Sequence, residues 1–405
     1  MEKQINIPRL RFPDFTGEWE VKKLGEVAKK VNSGKTPLGG QSVYTEKGVL
    51  FIRSQNINNN QLELDNPTFI PEEINKGMKN SIVKPNDILL NITGASLGRS
   101  CVVPENFSLG NVNQHVCIIR LRTENNPRFL QPILSSQKGQ NIFSSLQTGS
   151  GREGLNFESI KSIELSFPTL PEQQKIATFL TAADDKLQAL KKKKALLEQY
   201  KKGVMQKLFS QKLRFKDENG GDFPEWEAKK GNDVFVPISN KEHNSDLPIL
   251  AISQEHGAIP RDLIEYRISV TSKSIKSYKV VDVGDFIISL RSFQGGIEYS
   301  NYKGICSPAY IILRSKIEIN NNFYKFYLKT GNYIQLLNKK LEGIRDGKMI
   351  SYKYFSDIDL PYPSINEQSK IATFLSTLDE KINQVAEQIA QTATWKKGLL
   401  QKMFI

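Results

Sequence analysis

The chain has 405 residues, 39% hydrophobic and 24% charged, which is the balance of a globular protein long enough for two or three domains. No run approaches the roughly 18 apolar residues of a membrane span, Met1–Asn6 lacks the apolar stretch of a signal peptide, and Cys101, Cys117 and Cys306 make no disulfide framework, so a cytoplasmic location is expected. A formal net charge of +13 favours a polyanionic partner, DNA or RNA, because each neutralised phosphate releases a condensed counterion.

Leu10-Arg11-Phe12 and Glu18-Trp19 open the chain, and Glu20-Val21-Lys22 reads as a domain-opening turn and strand. Val49–Ile52, Asp87–Ile92 and Val116–Leu121 are strand-length apolar runs bounded by Gly, Asn or Pro. Polar, irregular loops accompany them: Ser54-Gln55-Asn56, Thr93–Arg99 and Gly149–Gly154. From Ile176 the period changes. Apolar residues at Ile176, Leu180, Ala183, Leu187, Leu190, Leu197, Val204 and Leu208 alternate steps of four and three, with gaps at Lys194 and Lys201. That is the heptad seam of a coiled coil, on a helix of about 38 residues and about 57 Å. Pro171 fits its first turn, where a missing N–H costs nothing.

The order then starts again. Glu172–Leu180 returns as Glu367–Leu375, 195 positions later, and at the same offset Asp184, Lys186 and Tyr200–Gly203 return as Asp379, Lys381 and Trp395–Gly398. Leu213-Arg214-Phe215 and Glu225-Trp226 open this second half, with strand-like runs at Leu250–Ile252, Asp285–Leu290 and Tyr310–Leu313. Its loops are Ser253–His256, Arg291–Gly296 and Gly343–Lys348. Ile371, Leu375, Leu378, Ile382, Val385, Ile389, Leu399 and Met403 repeat the heptad phase. The expected fold is therefore mixed α/β: two duplicated domains, 1–169 and 211–364, each followed by a long helix, 170–210 and 365–405. The two helices are expected to form an antiparallel coiled coil with pseudo-twofold symmetry.

Catalytic signatures are sparse. His115 and Cys117 lack a second ligand pair for zinc, and no Gly-x4-Gly-Lys-Ser/Thr occurs. Ser307-Pro308-Ala309-Tyr310 approaches an amino-methyltransferase tetrapeptide, with alanine in place of the second proline and no glycine-rich cofactor loop before it. Pro13-Asp14 stands too close to Glu20-Val21-Lys22 for a restriction-nuclease core. The pattern favours a binder over an enzyme, with no catalytic residue, cofactor or metal of its own. Asn, Gln, Arg, Ser and Thr on duplicated loops are side chains that read base edges and phosphates.

The chain resembles the specificity subunit of Type I restriction-modification systems over essentially its whole length. The resemblance is carried by Glu18–Gly25, by Asp87–Leu90 with Thr93-Gly94, and by Phe167–Ile176 with its second copy. A Pro-x-x-x-Glu-Gln entry to a long helix, present twice, is its most specific element. The second domain departs from the pattern where Asn91-Ile92-Thr93-Gly94 becomes Ser289-Leu290-Arg291-Ser292.

The resemblance implies two target-recognition domains, each reading half of a bipartite asymmetric site in double-stranded DNA, and a helical spacer that fixes the gap. It implies two modification (methyltransferase) subunits that hold S-adenosylmethionine and methylate adenine. Separate restriction (translocase and endonuclease) subunits would use ATP and Mg2+. The candidate DNA-contacting residues are Arg53, Gln55, Asn56, Ser96, Arg99 and Arg152 for one half-site. For the other they are Gln254, His256, Arg291, Gln294, Arg345 and Lys348. Lys191–Lys194 is a solvated face that either partner subunits or the DNA backbone would suit. A protein-binding scaffold, and a specificity subunit of a fused system, are the alternatives.

Overall fold

Alternation of faces along each strand decides where the layers lie, because successive side chains point to opposite sides of a sheet. The computed structural model describes residues 6–147, 154–244, 246–264, 275–339 and 350–404. The chain divides into two compact units, Met1–Lys191 with Glu387–Ile405, and Lys192–Ala386.

In the first unit, an antiparallel sheet runs in the order Ala28–Ser33, Val116–Leu121, Ile88–Asn91 and Ser100–Val102. Ile88, Leu90, Cys117 and Ile119 face a core that includes Trp19, Phe129, Ile133 and Phe143. Leu89, Cys101, Val116 and Ile118 face the other way, onto Ile52, Val83 and Val112 of a second sheet. Burial on both faces explains why these strands read as unbroken apolar runs. The second sheet is ordered Phe69–Ile70, Val49–Ile52, Gly110–Val112 and Ile82–Val83, its middle two strands parallel. A two-stranded ribbon, Glu20–Lys23 with Glu164–Phe167, closes the unit beside the long helix.

The second unit repeats the central sheet as Phe235–Ile238, Ile311–Ser315, Phe286–Ile288 and Glu298–Tyr299. Phe286, Ile288 and Leu313 face the helices, while Ile287 and Ile312 face Leu250, Ala258, Val281 and Cys306. Its ribbon is Glu227–Lys230 with Asp359–Tyr362. In place of a second four-stranded sheet it has two two-stranded pairs, Leu250–Ser253 with Gly257–Pro260 and Lys279–Val281 with Gly304–Cys306.

The long helices span Leu170–Phe209, 40 residues, and Ile365–Met403, 39 residues. They run antiparallel. In the first unit Phe179 meets Trp395 edge-on at 6.0 Å and Lys396 pairs with Asp184; in the second, Lys201 pairs with Asp379. Ile176, Leu180, Ala183, Val204 and Leu208 are buried, as are Ile371, Leu375, Leu378, Ile382, Val385, Leu399 and Met403. The heptad gap at Lys201 is thus filled by an ion pair. Each helix also enters a domain core at both ends. Leu399, Met403 and Phe404 join Trp19 and Phe129, while Val204 and Leu208 join Phe235 and Phe323.

The repeated Glu-Gln pair fastens each helix start. The Glu172 carboxylate accepts from Arg11 Nε and Nη2, both at 2.7 Å, and from Trp19 Nε1 at 3.3 Å. Glu367 accepts from Arg214 Nε and Nη2 at 3.1 and 2.9 Å, and from Trp226 Nε1 at 2.9 Å. Gln173 bridges the Pro168 carbonyl and the Asn126 N–H, as Gln368 bridges Pro363 and Asn320, all at 2.9 Å. A carboxylate in the first turn also suits the helix dipole. Two buried charges at one junction need every partner they have, which accounts for the motif's return in both halves.

Candidate nucleic-acid interface

In the first unit, two loops leave strands of the two facing sheets and are tied to each other. Residues 53–56 turn sharply after Val49–Ile52. Asn56, 5% exposed, accepts from the Arg53 N–H and donates to the Glu63 carbonyl, both at 3.0 Å. A two-stranded hairpin follows, Ile57–Asn58 with Gln61–Leu62. Its tip, Asn59 and Asn60, has φ of 50° and 60°, which asparagine tolerates better than most residues. Arg53 is half-buried; its Nη2 donates to Thr68 Oγ1 at 2.7 Å and its guanidinium lies over Tyr44. Gln55 is exposed.

The second loop, 92–99, follows Ile88–Asn91. Its bend at Gly98 has φ 86°, a left-handed conformation that glycine adopts without strain. Ser96 is half-buried and Arg99 exposed. Arg99 Nη1 donates to Asn58 Oδ1 at 2.6 Å, and Asn58 Nδ2 donates to the Gln55 carbonyl at 2.8 Å. Beneath them, buried Asn91 donates from Nδ2 to the Ser54 carbonyl at 2.9 Å. Gly154 pairs with Thr93, bringing the root of the 149–154 loop alongside; Arg152 itself lies outside the described residues.

The second unit brings its loops together with other atoms. Gln254 and His256 are exposed on the turn between Leu250–Ser253 and Gly257–Pro260. Arg291 and Gln294 are exposed on the turn after Phe286–Ile288. Gln254 Nε2 donates to the Arg291 carbonyl at 3.2 Å, joining the two. Ser289 stands where the first unit has Asn91, and its Oγ accepts from the Arg291 N–H at 3.2 Å. The departure from the family tetrapeptide is therefore a change in how the joint is made: the cross-loop donor moves from the central strand to the neighbouring loop. Arg345 and Lys348 lie outside the described residues.

At the opposite end of the central strand from the loops, each unit carries the same Asp–Arg pair. Buried Asp87 accepts from Arg120 Nε and Nη2 at 2.6 and 2.7 Å, and buried Asp285 accepts from Arg314 at 2.7 and 2.8 Å. Hydrogen bonds to Asp285 hold the Arg314 guanidinium well above its ordinary pKa. Asp87, Asn91, Arg120 and Asp285 stand in or beside the apolar runs with nothing in the sequence to give their partners, and Asn58 and Arg314 carry no sequence signal of their roles. Arg120 and Arg314 share only their place, near the end of the third apolar run in each half.

The chemistry offered is recognition by hydrogen bonding. Cys101, Cys117 and Cys306 are buried, and burial pushes each thiol up to about 12, which keeps it protonated. His115 Nδ1 lies 2.6 Å from Thr93 Oγ1, whereas Cys117 packs in the core. Among the described residues no group of three or more His, Cys, Asp or Glu is placed to hold a metal ion. Nor is any helix among them long and apolar enough to cross a membrane.

Comparison with known proteins agrees with this geometry. Residues 16–199 and 215–393 each match the model of the Type I restriction modification DNA specificity domain. A protein of Methanocaldococcus jannaschii, provisionally named the type I restriction enzyme MjaX specificity subunit, is 24% identical over 98% of this chain and 95% of its own length. The EcoBI specificity subunit of Escherichia coli is 33% identical over 32% of this chain and 27% of its own. The crystal structure of a Type-I restriction-modification S subunit from M. genitalium superposes with a TM-score of 0.59 at 17% identity, covering 98% of this chain and 99% of that one.

Proposed function

The chain belongs to the family of type I restriction-modification DNA specificity subunits, and from that premise we propose that its two loop pairs read the two halves of one bipartite duplex site. Arg53, Gln55, Asn56, Ser96, Arg99 and Arg152 serve the first half; Gln254, His256, Arg291, Gln294, Arg345 and Lys348 serve the second. Within this set Asn56 shapes its loop from inside, while exposed Gln55, Arg99, Gln254, His256, Arg291 and Gln294 meet base edges or phosphates.

The observation that carries the reading is the duplicated joint. Asn91 tied to Ser54, and Gln254 tied to Arg291, join a pair of polar loops in each unit. A rigid joint with an exposed polar edge is what base discrimination needs, because a loosely held donor loses its geometric selectivity. The net charge of +13 supplies the sequence-independent attraction to the backbone.

In this reading the chain directs chemistry done elsewhere. Two methyltransferase subunits supply S-adenosylmethionine and methyl transfer; restriction subunits supply ATP- and Mg2+-dependent translocation and cleavage. Methylation mapping of host DNA, with and without this chain, tests the proposal. The expected result is one asymmetric two-part motif that disappears when the chain is deleted. Methyl transfer by the purified chain alone, or a motif that survives the deletion, overturns it.

A further inference from the structure

A polar hollow of about 400 Å3 opens in the first unit, at the end of the central sheet away from the reading loops. Arg120, Arg122 and Arg128 line it, with the amides of Asn125, Asn126 and Gln174 beside them. Arg120 is spent on buried Asp87, to which it donates from Nε and Nη2. Among the described residues Arg122 meets no carboxylate; its Nε donates to the Glu26 carbonyl at 3.0 Å. Arg128 faces Glu105 across 3.6 Å, beyond a hydrogen bond, and that carboxylate side chain is 74% exposed. Lys30 stands opposite Arg120 in the sheet. Its ammonium titrates below the ordinary range, through burial first and then through the Arg120 charge, which counts for more than Asp87. The field at this end of the sheet is therefore positive even with Asp87 beside it.

The duplicate shows which of these cations the fold can do without. Arg122 and Lys316 are equivalent, since each gives its N–H to the valine that ends a short helix, Val27 or Val234. Asn126 and Asn320 are equivalent too: their N–H groups bond Gln173 and Gln368. Their Oδ1 atoms accept from the N–H of Arg128 and of Asn322. Asparagine thus stands where the first unit has Arg128, and a helix starts there all the same. Helix formation does not account for that guanidinium.

We propose that this hollow binds a small phosphate monoester of the sugar-phosphate class. A guanidinium fork matches phosphate oxygens two at a time, and neither Arg122 nor Arg128 spends its fork on a carboxylate at hydrogen-bond distance. A phosphate brings more negative charge to Arg128 than Glu105 does, and displaces it. The space exceeds what a lone phosphate fills and falls in the range of small-ligand pockets. No aromatic side chain is among the residues that line it, so a nucleobase finds no ring to stack on. Sugar hydroxyls suit the amides of Asn125, Asn126 and Gln174. Place argues against duplex DNA: Arg120 lies about 14 Å along its strand from Val116, whose partner Asn91 leads into the reading loop. The inference does not rest on the reading of the loops.

The test is calorimetric titration of the full chain with ribose 5-phosphate, inorganic phosphate, ribose, adenosine 5′-monophosphate and sulfate at fixed ionic strength. Ribose 5-phosphate binds, inorganic phosphate binds more weakly, ribose does not bind, and the adenine base adds nothing. Arg128→Asn, which copies the duplicate, and Arg122→Gln each weaken ribose 5-phosphate by about tenfold, the worth of one charge-assisted contact. Glu105→Gln tightens it by removing the competing carboxylate. Lys47→Gln/Lys76→Gln, exposed lysines of the same unit outside the hollow, leave it unchanged. Absence of ribose 5-phosphate binding by the wild type, or undiminished binding by Arg122→Gln/Arg128→Asn, would overturn the proposal. Weaker binding by Glu105→Gln would do the same. So would sulfate binding as tightly as ribose 5-phosphate, which means an adventitious ion only. Displacement of ribose 5-phosphate by saturating duplex would hand the hollow to DNA and equally end the proposal.

Discussion

Lys201 of the first long helix pairs with Asp379 of the second, and 195 positions away in each helix Lys396 pairs with Asp184 in the reverse sense. Both pairs are partly shielded, with the lysine side chains 20% and 11% exposed. The two lysines occupy seam positions where a heptad would carry an apolar residue. A polar pair there fixes register at some expense of stability, because a shifted helix would leave a half-buried ammonium unpaired.

Breaking and reversing the Asp184–Lys396 pair should therefore give different results. Asp184→Lys sets two ammonium groups together and should lower stability by on the order of 1–2 kcal/mol. Asp184→Lys/Lys396→Asp should recover most of that. Calorimetric midpoints of the two single variants and the double variant form the cycle; strict additivity would show that the pair does not couple.

The junction at Glu172 should be far less forgiving. Its side chain is 1% exposed, and removing it strands the Arg11 guanidinium and the Trp19 N–H. Glu172→Ala should cost about 3 kcal/mol or more, and Glu172→Gln, which keeps an acceptor, about half as much. Urea titration followed by tryptophan fluorescence measures both. Equal losses would place the contribution in packing rather than in charge.

Asn91 and Arg99 should separate loop position from base contact. Asn91→Ala frees the Ser54 carbonyl and should broaden preference at several bases of the first half-site, leaving the second untouched. Arg99→Ala should cost about 1–3 kcal/mol and relax a single base if the guanidinium reads a base edge. A uniform loss over all sequences would assign Arg99 to phosphate. Methylation mapping resolves the three patterns.

The buried thiols tie stability to alkaline pH. Cys101, Cys117 and Cys306 titrate near 9 when exposed and are pushed up to about 12 in the fold. Between those values the folded state holds more protons than the unfolded one, so stability falls as pH rises above about 9 and is unaffected by these groups below it. A thiol-specific disulfide reagent at pH 8 should find none of the three in native protein and all of them in denaturant. Rapid labelling of native protein would contradict their burial.

Much of this architecture is legible in the sequence because its signals are periodic. Heptads announced both long helices, and unbroken apolar runs at Ile88–Asn91 and Val116–Leu121 announced strands buried on two faces. Pairings between distant residues leave no such trace. Nothing local says that Lys201 will meet Asp379, or that Asn58 will accept from Arg99, since those partnerships depend on how the layers stack. Asn56 shows the same limit from the other side: its type and loop position suit base reading, yet its amide is spent inside its own turn.

Phe404 packs against Phe129 at a ring distance of 5.6 Å, in the core that also holds Trp19. A ribosome that has delivered the first unit's entire sheet must therefore still synthesise residues 192–386 before the last pieces of that core exist. At about 5–20 residues per second the nascent head waits about 10–40 s with apolar surface uncovered. The part translated first is the part completed last, and a frameshift near residue 390 would be felt at Trp19.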